Sequence, residues 1–390
     1  MSGSEVAVLG TPGFVRDAKR FDDETLLKVL GANSGNLMFQ YAAATLIDEP
    51  KKFISLAEIP YSDITALQNT KMLVMPAANH LRLGADWSGL NGYLANANRP
   101  LVVLGLGAQS PKIGGEMETI QALKADQQVR RLADIIRERA ALVTVRGPYS
   151  ETVCHELGVE NVKVFGCPSA LISRDPALGA KMEAQILATA SRETPAKIAI
   201  TAAAPFEIDG DERRTALEQK LLGWMAEGDG VYVQQSGGVS AIRAANGGTT
   251  PVDMGPARSI QRILGPEMNA EKFWTLMKAA GRFYVGAPDW IKEMDGMDLA
   301  IGSRLHGNMA AIATGTPGVL IAHDSRTGEL GQTMHLPTLA YDDVMSAATL
   351  QEALGRIEFS GQAFDEWRAG TSAAFSSAMA EVGLRTIGSA

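Results

Sequence analysis

The chain has little of what marks several large functional classes. Two cysteines in 390 residues, Cys154 and Cys167, are too few for a disulfide framework, and they show no Cys-x-x-Cys spacing. They are expected to be ordinary buried thiols of a cytoplasmic protein. Positive charge is also scarce: 36 Lys and Arg stand against 44 Asp and Glu, a net charge of -8, which argues against broad nucleic-acid binding. A few arginines in a cleft could still hold a small anion. Apolar stretches such as Ala310 to Ala322 are cut by Thr, Gly and Pro, so none has membrane-spanning length. The opening Met1-Ser2-Gly3-Ser4-Glu5 shows no basic region followed by an apolar core, and no signal peptide is expected. A soluble chain follows, with at most peripheral attachment at the inner face of a membrane. His323-Asp324 lacks a second spaced ligand pair, so no metal site and no cofactor are expected. His80, His155 and His335 have no legible partners.

What is present is repeated α/β alternation. Buried strands are expected at Glu5–Leu9, Leu27–Leu30, Met72–Met75, Leu101–Leu104, Leu142–Val145 and Val162–Phe165, with helices at Asn36–Ile47, Ala125–Arg139 and Tyr149–Leu157. After Arg174-Asp175-Pro176 and a connecting helix near Lys181–Ser191, the alternation resumes. Strands then fall at Lys197–Thr201, Gly230–Gln234, Arg282–Val285, Leu299–Gly302 and Gly318–Ile321, with helices at Arg214–Met225, Ala270–Ala280, Asp289–Met294 and Gly307–Thr314. This reads as two Rossmann-like domains facing across a cleft: residues 1–180, a linker at 181–195, residues 196–345, and C-terminal helices over 346–390. The Gly, Ala and Thr-rich stretch Ser236 to Pro256 is expected to be a functional loop.

The strongest chemical signal is Gly302-Ser303-Arg304-Leu305-His306-Gly307, between an expected strand and a helix of small residues that stops at Gly315. A strand's carboxyl end beside a helix N-terminus favours an anion. Arg304 could grip a carboxylate or phosphate in bidentate fashion, and His306 could move a proton near neutral pH. The bland alternative pairs Arg304 with a surface acid and leaves His306 as a helix cap. Arg146-Gly147-Pro148 repeats the design after the strand Leu142–Val145, with Pro148 suited to the first helical position. Arg146 alone could equally form an interdomain ion pair. One such arginine in each half points to a small polyanion held between them.

Weaker candidates line the same expected cleft. Asn33, Gly35 and Asn36 precede a helix that they could cap or, alternatively, flank as the cleft floor. Gly107 and Gln109 lie in a loop that lacks the third glycine of a dinucleotide fingerprint, and Ser169 follows Cys167-Pro168. Arg326, after the strand Gly318–Ile321, could supply a third positive group.

Together, Asn33-Ser34-Gly35-Asn36, Val145-Arg146-Gly147-Pro148-Tyr149-Ser150, Gly166-Cys167-Pro168-Ser169, Arg304-Leu305-His306-Gly307, Gly315-Thr316-Pro317 and Asp324-Ser325-Arg326 resemble the polysaccharide pyruvyl transferase family. The resemblance implies a GT-B-like fold and the transfer of pyruvate from phosphoenolpyruvate to a sugar of a polysaccharide or its lipid-linked precursor, closing a cyclic ketal and releasing phosphate. The first domain would face the acceptor and the second the donor. It further implies that Arg146, Arg304, Leu305, His306, Gly307 and Arg326 bind phosphoenolpyruvate, with Arg304 and His306 catalytic and His306 acting as acid/base or as phosphate ligand. Three departures stand out. Many members carry Asp where this chain has Gly147, and many carry Lys at Arg326, which grips anions differently. Some carry Asp-Pro near Cys167-Pro168-Ser169. The rival readings are a nucleotide-sugar glycosyltransferase on the same fold and a non-catalytic glycan- or anion-binding relative.

Overall fold

Strands that are apolar on both faces need cover on both sides, and the chain provides it twice. The computed structural model describes residues 5–55, 57, 63–109, 115–237, 254–322 and 325–387, save the side chains of residues 254, 256, 325 and 326. The first sheet runs β2-β1-β3-β4-β5-β6, formed by β1 (Glu5–Leu9), β2 (Lys51–Ile54), β3 (Thr70–Pro76), β4 (Leu101–Leu106), β5 (Ala140–Val145) and β6 (Val162–Val164). The second runs β12-β11-β10-β7-β8-β9, formed by β7 (Ile198–Thr201), β8 (Val231–Val233), β9 (Gly281–Arg282), β10 (Leu299–Gly302), β11 (Gly318–Ala322) and β12 (Thr338–Ala340). Pairing is parallel throughout both sheets, with Val74 opposite Val102 in the first and Ile301 opposite Ile200 and Val319 in the second. Two parallel α/β domains are therefore present, as the alternation predicts.

One face of the first sheet packs Leu73, Met75 and Val103 against Leu132 and Ile136 of the helix Gln127–Arg139. Its other face packs Val8, Val74 and Val102 against Phe375 and Met379 of the helix Gly361–Glu381, so the chain's last long helix returns to the first half. The second sheet buries Ile198, Ile200 and Ile301 with Leu221, Met225 and Phe273. A further cluster spans both halves: Leu37, Met38 and Phe39 of the helix Asn36–Leu46 meet Met309 and Ala310 of the helix Leu305–Ile312. The small residues of that second helix are what let the two approach.

The structure corrects two expected strands. At Leu27–Leu30, residues 27–29 end the helix Asp23–Val29 and Leu30 is its C-cap, because Leu26, Val29 and Leu30 lie on one buried face and the Asp22 carboxylate accepts the Thr25 N–H at 2.7 Å. Of Arg282–Val285, Arg282 alone pairs as a strand, within Gly281–Arg282. Val285 instead accepts the Val15 N–H at 2.8 Å, tying the two halves together. Strands β2 and β12, short edges of their sheets, have no counterpart among the expected strands. Of the expected loop at 236–256, residues 238–253 lie outside the described residues. No helix among the described residues is long and apolar enough to cross a membrane.

Candidate active site in the cleft between the two halves

Carboxyl ends of strands from both sheets meet at a cleft of about 750 Å³. Arg146 enters it from the end of β5, and Arg304, Leu305 and His306 enter from the end of β10. Asn33, Asn36 and Gln109 also line it. Gly35, Gly107, Gly307 and Ser169 stand immediately behind the wall. A Cβ on Gly35 would sit 2.6 Å from Gln235 Oε1, one on Gly107 would sit 3.3 Å from Arg146 Cδ, and one on Gly307 would sit 2.6 Å from Thr201 Cγ2. Arg326 is the second residue of the helix Ser325–Thr333, but its side chain lies outside the described residues, as do His323 and Asp324.

The turn carrying Arg304 is built by close backbone approach. Gly302 has φ of 152°, and a Cβ there would meet Thr201 O at 2.6 Å, so a side chain is excluded twice over. The wholly buried Asn308 donates from Nδ2 to Gly302 O at 3.1 Å, locking strand to helix. Arg304 is the N-cap residue of Leu305–Ile312. Its guanidinium pairs with Glu207 at 2.6 Å, which is the acid partner of the bland alternative, but Glu207 itself lines the cleft.

Arg146 is held quite differently. Only 5% exposed, it donates from Nε to Gly105 O at 2.9 Å and from Nη2 to Ala77 O at 3.1 Å. The same Nη2 lies 3.4 Å from His306 Nε2 across the cleft, and the guanidinium sits over the Phe39 ring at 5.6 Å. No carboxylate pairs with it among the described residues, and Nη1 has no hydrogen-bond partner there. Burial lowers the Arg146 pKa, yet a guanidinium stays charged. A buried cation without a counter-charge is costly unless an anion visits.

His306 also contacts Cys167, whose Sγ lies 3.7 Å from Nε2 and 3.0 Å from Ser169 Oγ. The sequence offers Cys167 as an ordinary buried thiol; buried it is, but against the central histidine. His80 is a second residue that local sequence could not find. Its Nδ1 accepts the Ala78 N–H at 3.0 Å, its ring stacks on Trp87 at 4.8 Å, and both line the cleft. Burial pushes its pKa down to about 4, with the charges of Arg146 and Arg82 adding to the effect. His80 is thus a neutral ring presenting Nε2–H, suited to hydrogen bonding rather than to proton transfer.

The family model for polysaccharide pyruvyl transferases matches residues 47–237 and 256–325, a span that carries Arg146, Arg304 and His306. The chain belongs to the polysaccharide pyruvyl transferase family. Membership places it among transferases that pyruvylate polysaccharides. No protein of curated function matches it. Among solved structures it is similar to Anabaena HepE in complex with UDP and glucose, at 12% identity and TM-score 0.44 over 97% of this chain and 96% of that one. The complex of HepE with UDP-glucose gives 12% identity and TM-score 0.45 over 96% and 99%. Nothing about this chain's ligand follows from likeness at that level.

Within the pyruvyl transferase frame, the glycine at position 147 gains a physical reading. A carboxylate does stand at this turn, but it is that of Glu329, from the second half. The Tyr149 N–H, in the first turn of the helix Pro148–Glu156, donates to Glu329 Oε1, and a Cβ at 147 would lie 2.8 Å from Glu329 Cδ. Burial raises the Glu329 pKa, and the Tyr149 N–H opposes that rise. A side chain at 147 would require the Glu329 carboxylate to shift from its present place.

Proposed function

We propose that this chain transfers the pyruvyl group of phosphoenolpyruvate to two hydroxyls of one sugar in a polysaccharide or its lipid-linked precursor. The product is a cyclic ketal, with phosphate released. The observation that carries the reading is Arg146: buried, without a carboxylate partner among the described residues, and in contact with His306 of the opposite half. Phosphoenolpyruvate brings a carboxylate and a phosphate, so fixed cations and N–H groups must replace its water. Arg146 supplies a preorganised charge from one wall, while Arg304 and the first turn of Leu305–Ile312 supply donors from the other.

His306 is the proton-transfer group in this reading. A proton delivered to the methylene carbon of the donor leaves C2 electrophilic, and one sugar hydroxyl adds there, losing its own proton. The second hydroxyl then displaces phosphate from C2 and closes the ketal. One hydroxyl proton has in effect moved to the new methyl group, and the other leaves with phosphate or solvent. No covalent enzyme intermediate is required.

The test is phosphate release from phosphoenolpyruvate in the presence of a panel of glycosides, with product masses read in parallel. Wild type should add one pyruvyl ketal, and His306→Ala and Arg304→Ala should each abolish release while remaining folded. Near-normal turnover in both variants refutes the assignment of roles, and turnover with a sugar nucleotide instead of phosphoenolpyruvate refutes the reading.

A further inference from the structure

Where β8 ends, Gln235 and Ser236 line the cleft, while the Gln234 amide donates to the backbone oxygens of Ser236 and Gly237. Gln235 is 1% exposed, lines the cavity, and has no partner for its Nε2 among the described residues. Ser236 Oγ, in a residue 7% exposed, is likewise unpartnered there. A buried amide nitrogen left without an acceptor costs on the order of 1–3 kcal/mol, so its persistence in a cleft wall asks for a ligand.

The position of the amide identifies that ligand's chemistry. A Cβ built on Gly307 would lie 3.0 Å from Gln235 Nε2, so the nitrogen sits over the first turn of the helix Leu305–Ile312. A Cβ built on Gly35, from the opposite half, would lie 2.6 Å from Gln235 Oε1. Two glycines thus leave room for one amide at the seam, and the Ser34 N–H donates to the Gln235 backbone oxygen at 2.9 Å, fixing the residue from the first half. An N–H donor beside a helix N-terminus, with Arg304 as that helix's cap residue, converges on an oxyanion.

We infer that Gln235 and the first turn of Leu305–Ile312 form the subsite for the donor's phosphate, Gln235 donating from Nε2 to a phosphate oxygen. The inference rests on the phosphoenolpyruvate reading above. A neutral donor suits this position because the phosphate must leave after transfer, and an amide holds an anion less tightly than a third cation would.

The test measures binding of phosphoenolpyruvate and of inorganic phosphate to the full chain by calorimetry, with melting temperatures alongside. Gln235→Leu should weaken both ligands about 10- to 100-fold, the loss of one hydrogen bond to a charged group. Its ligand-free melting temperature should hold or rise, because an orphaned buried amide has been removed. Gln235→Glu keeps the shape and should weaken both ligands further by placing a carboxylate against phosphate; it gives the same reading should Gln235→Leu fail to fold. Unchanged affinity for both ligands in a folded variant overturns the inference and leaves the donor reading standing. Weakened phosphoenolpyruvate binding with unchanged phosphate binding also overturns it, since the amide would then serve the carboxylate. Wild type that binds neither ligand overturns the donor reading and this inference together.

Discussion

Replacing Arg146 by methionine keeps much of the side-chain volume and removes the charge. Two hydrogen bonds to the oxygens of Gly105 and Ala77 disappear with it, as does the contact with His306 Nε2. Loss of those bonds destabilises the empty protein, while loss of an unpaired buried charge stabilises it; the two effects oppose each other. Ligand-free stability is therefore a poor readout, and ligand-induced stability a good one. Truncating one member of a buried charged contact costs about 2–5 kcal/mol. With Arg304 still present to share the donor's charge, the lower half of that range applies, or about 30- to several-hundred-fold in affinity. At a phosphoenolpyruvate concentration of 100 times its dissociation constant, wild type gains about 2.7 kcal/mol; a variant binding 100-fold more weakly gains about 0.4 kcal/mol. Thermal unfolding with and without phosphoenolpyruvate should thus show a clear shift for wild type and almost none for Arg146→Met. Arg146→Lys should fall between them, because one ammonium cannot span both carbonyls and still face the cleft. An equal ligand-induced shift in wild type and Arg146→Met refutes the proposal that the enclosed guanidinium is there for the donor.

Two further outcomes follow from named carboxylates. Glu218, 1% exposed, accepts the Ala203 N–H at 3.0 Å, and burial raises its pKa from 4.5 to about 7, against the opposing influence of that bond and of Arg304. Its carboxyl is protonated more readily in the folded chain than in the unfolded one, so stability is full below about pH 4.5 and is lost as pH rises towards 7. Glu218→Gln, permanently neutral, should exceed wild type by about 3 kcal/mol at pH 8 but by under about 1 kcal/mol at pH 5, measured by urea unfolding. A gap that does not change with pH contradicts the burial argument. Glu207→Gln frees Arg304 from a 2.6 Å ion pair that is half exposed on the Glu207 side, and should tighten phosphoenolpyruvate binding by at most several-fold. Weaker binding in that variant, read by the same calorimetry, shows that Glu207 positions Arg304 instead of competing for it.

The parts of this molecule legible in its sequence are those whose signal is local. β1, β4, β5, β10 and β11 are short apolar runs ended by turn residues, and Arg146 and Arg304 stand in strand–turn–helix junctions that can be read within ten residues. The helix Asp23–Val29 reads as a strand because Leu26, Leu27, Val29 and Leu30 make so compact an apolar run that two periods fit it, and the cap that decides the matter is one Asp22 hydrogen bond. Residues whose role depends on distant chain left no mark. His80 acquires its neutral state from the cleft walls and Arg146, Gln235 Nε2 is left without a partner among the described residues where Gly307 and Gly35 make room for the amide, and Glu329 reaches a turn 180 residues away. A glutamine after a strand looks like any other until the second half of the chain folds over it.

The two arginines differ in their settings, and under the proposed phosphoenolpyruvate reading that difference gives them unequal parts. Arg304 is partly exposed and already neutralised by Glu207, so a ligand must displace a carboxylate that water can then solvate cheaply. Arg146 is enclosed, neutralised by nothing among the described residues, and fixed by two carbonyl oxygens, so it cannot turn away when empty. A fixed, desolvated charge contributes more to stabilising charge that develops during reaction than a mobile solvated one, because no reorganisation accompanies its use. Arg146 also meets His306, so the guanidinium and the imidazole proposed to move the proton occupy one point of the cleft although they belong to different halves. Displacing either half by an ångström would separate them. The Glu329 contact with Tyr149 and the Ser34 contact with Gln235, each joining the two halves close to this point, are therefore part of what keeps the cleft competent.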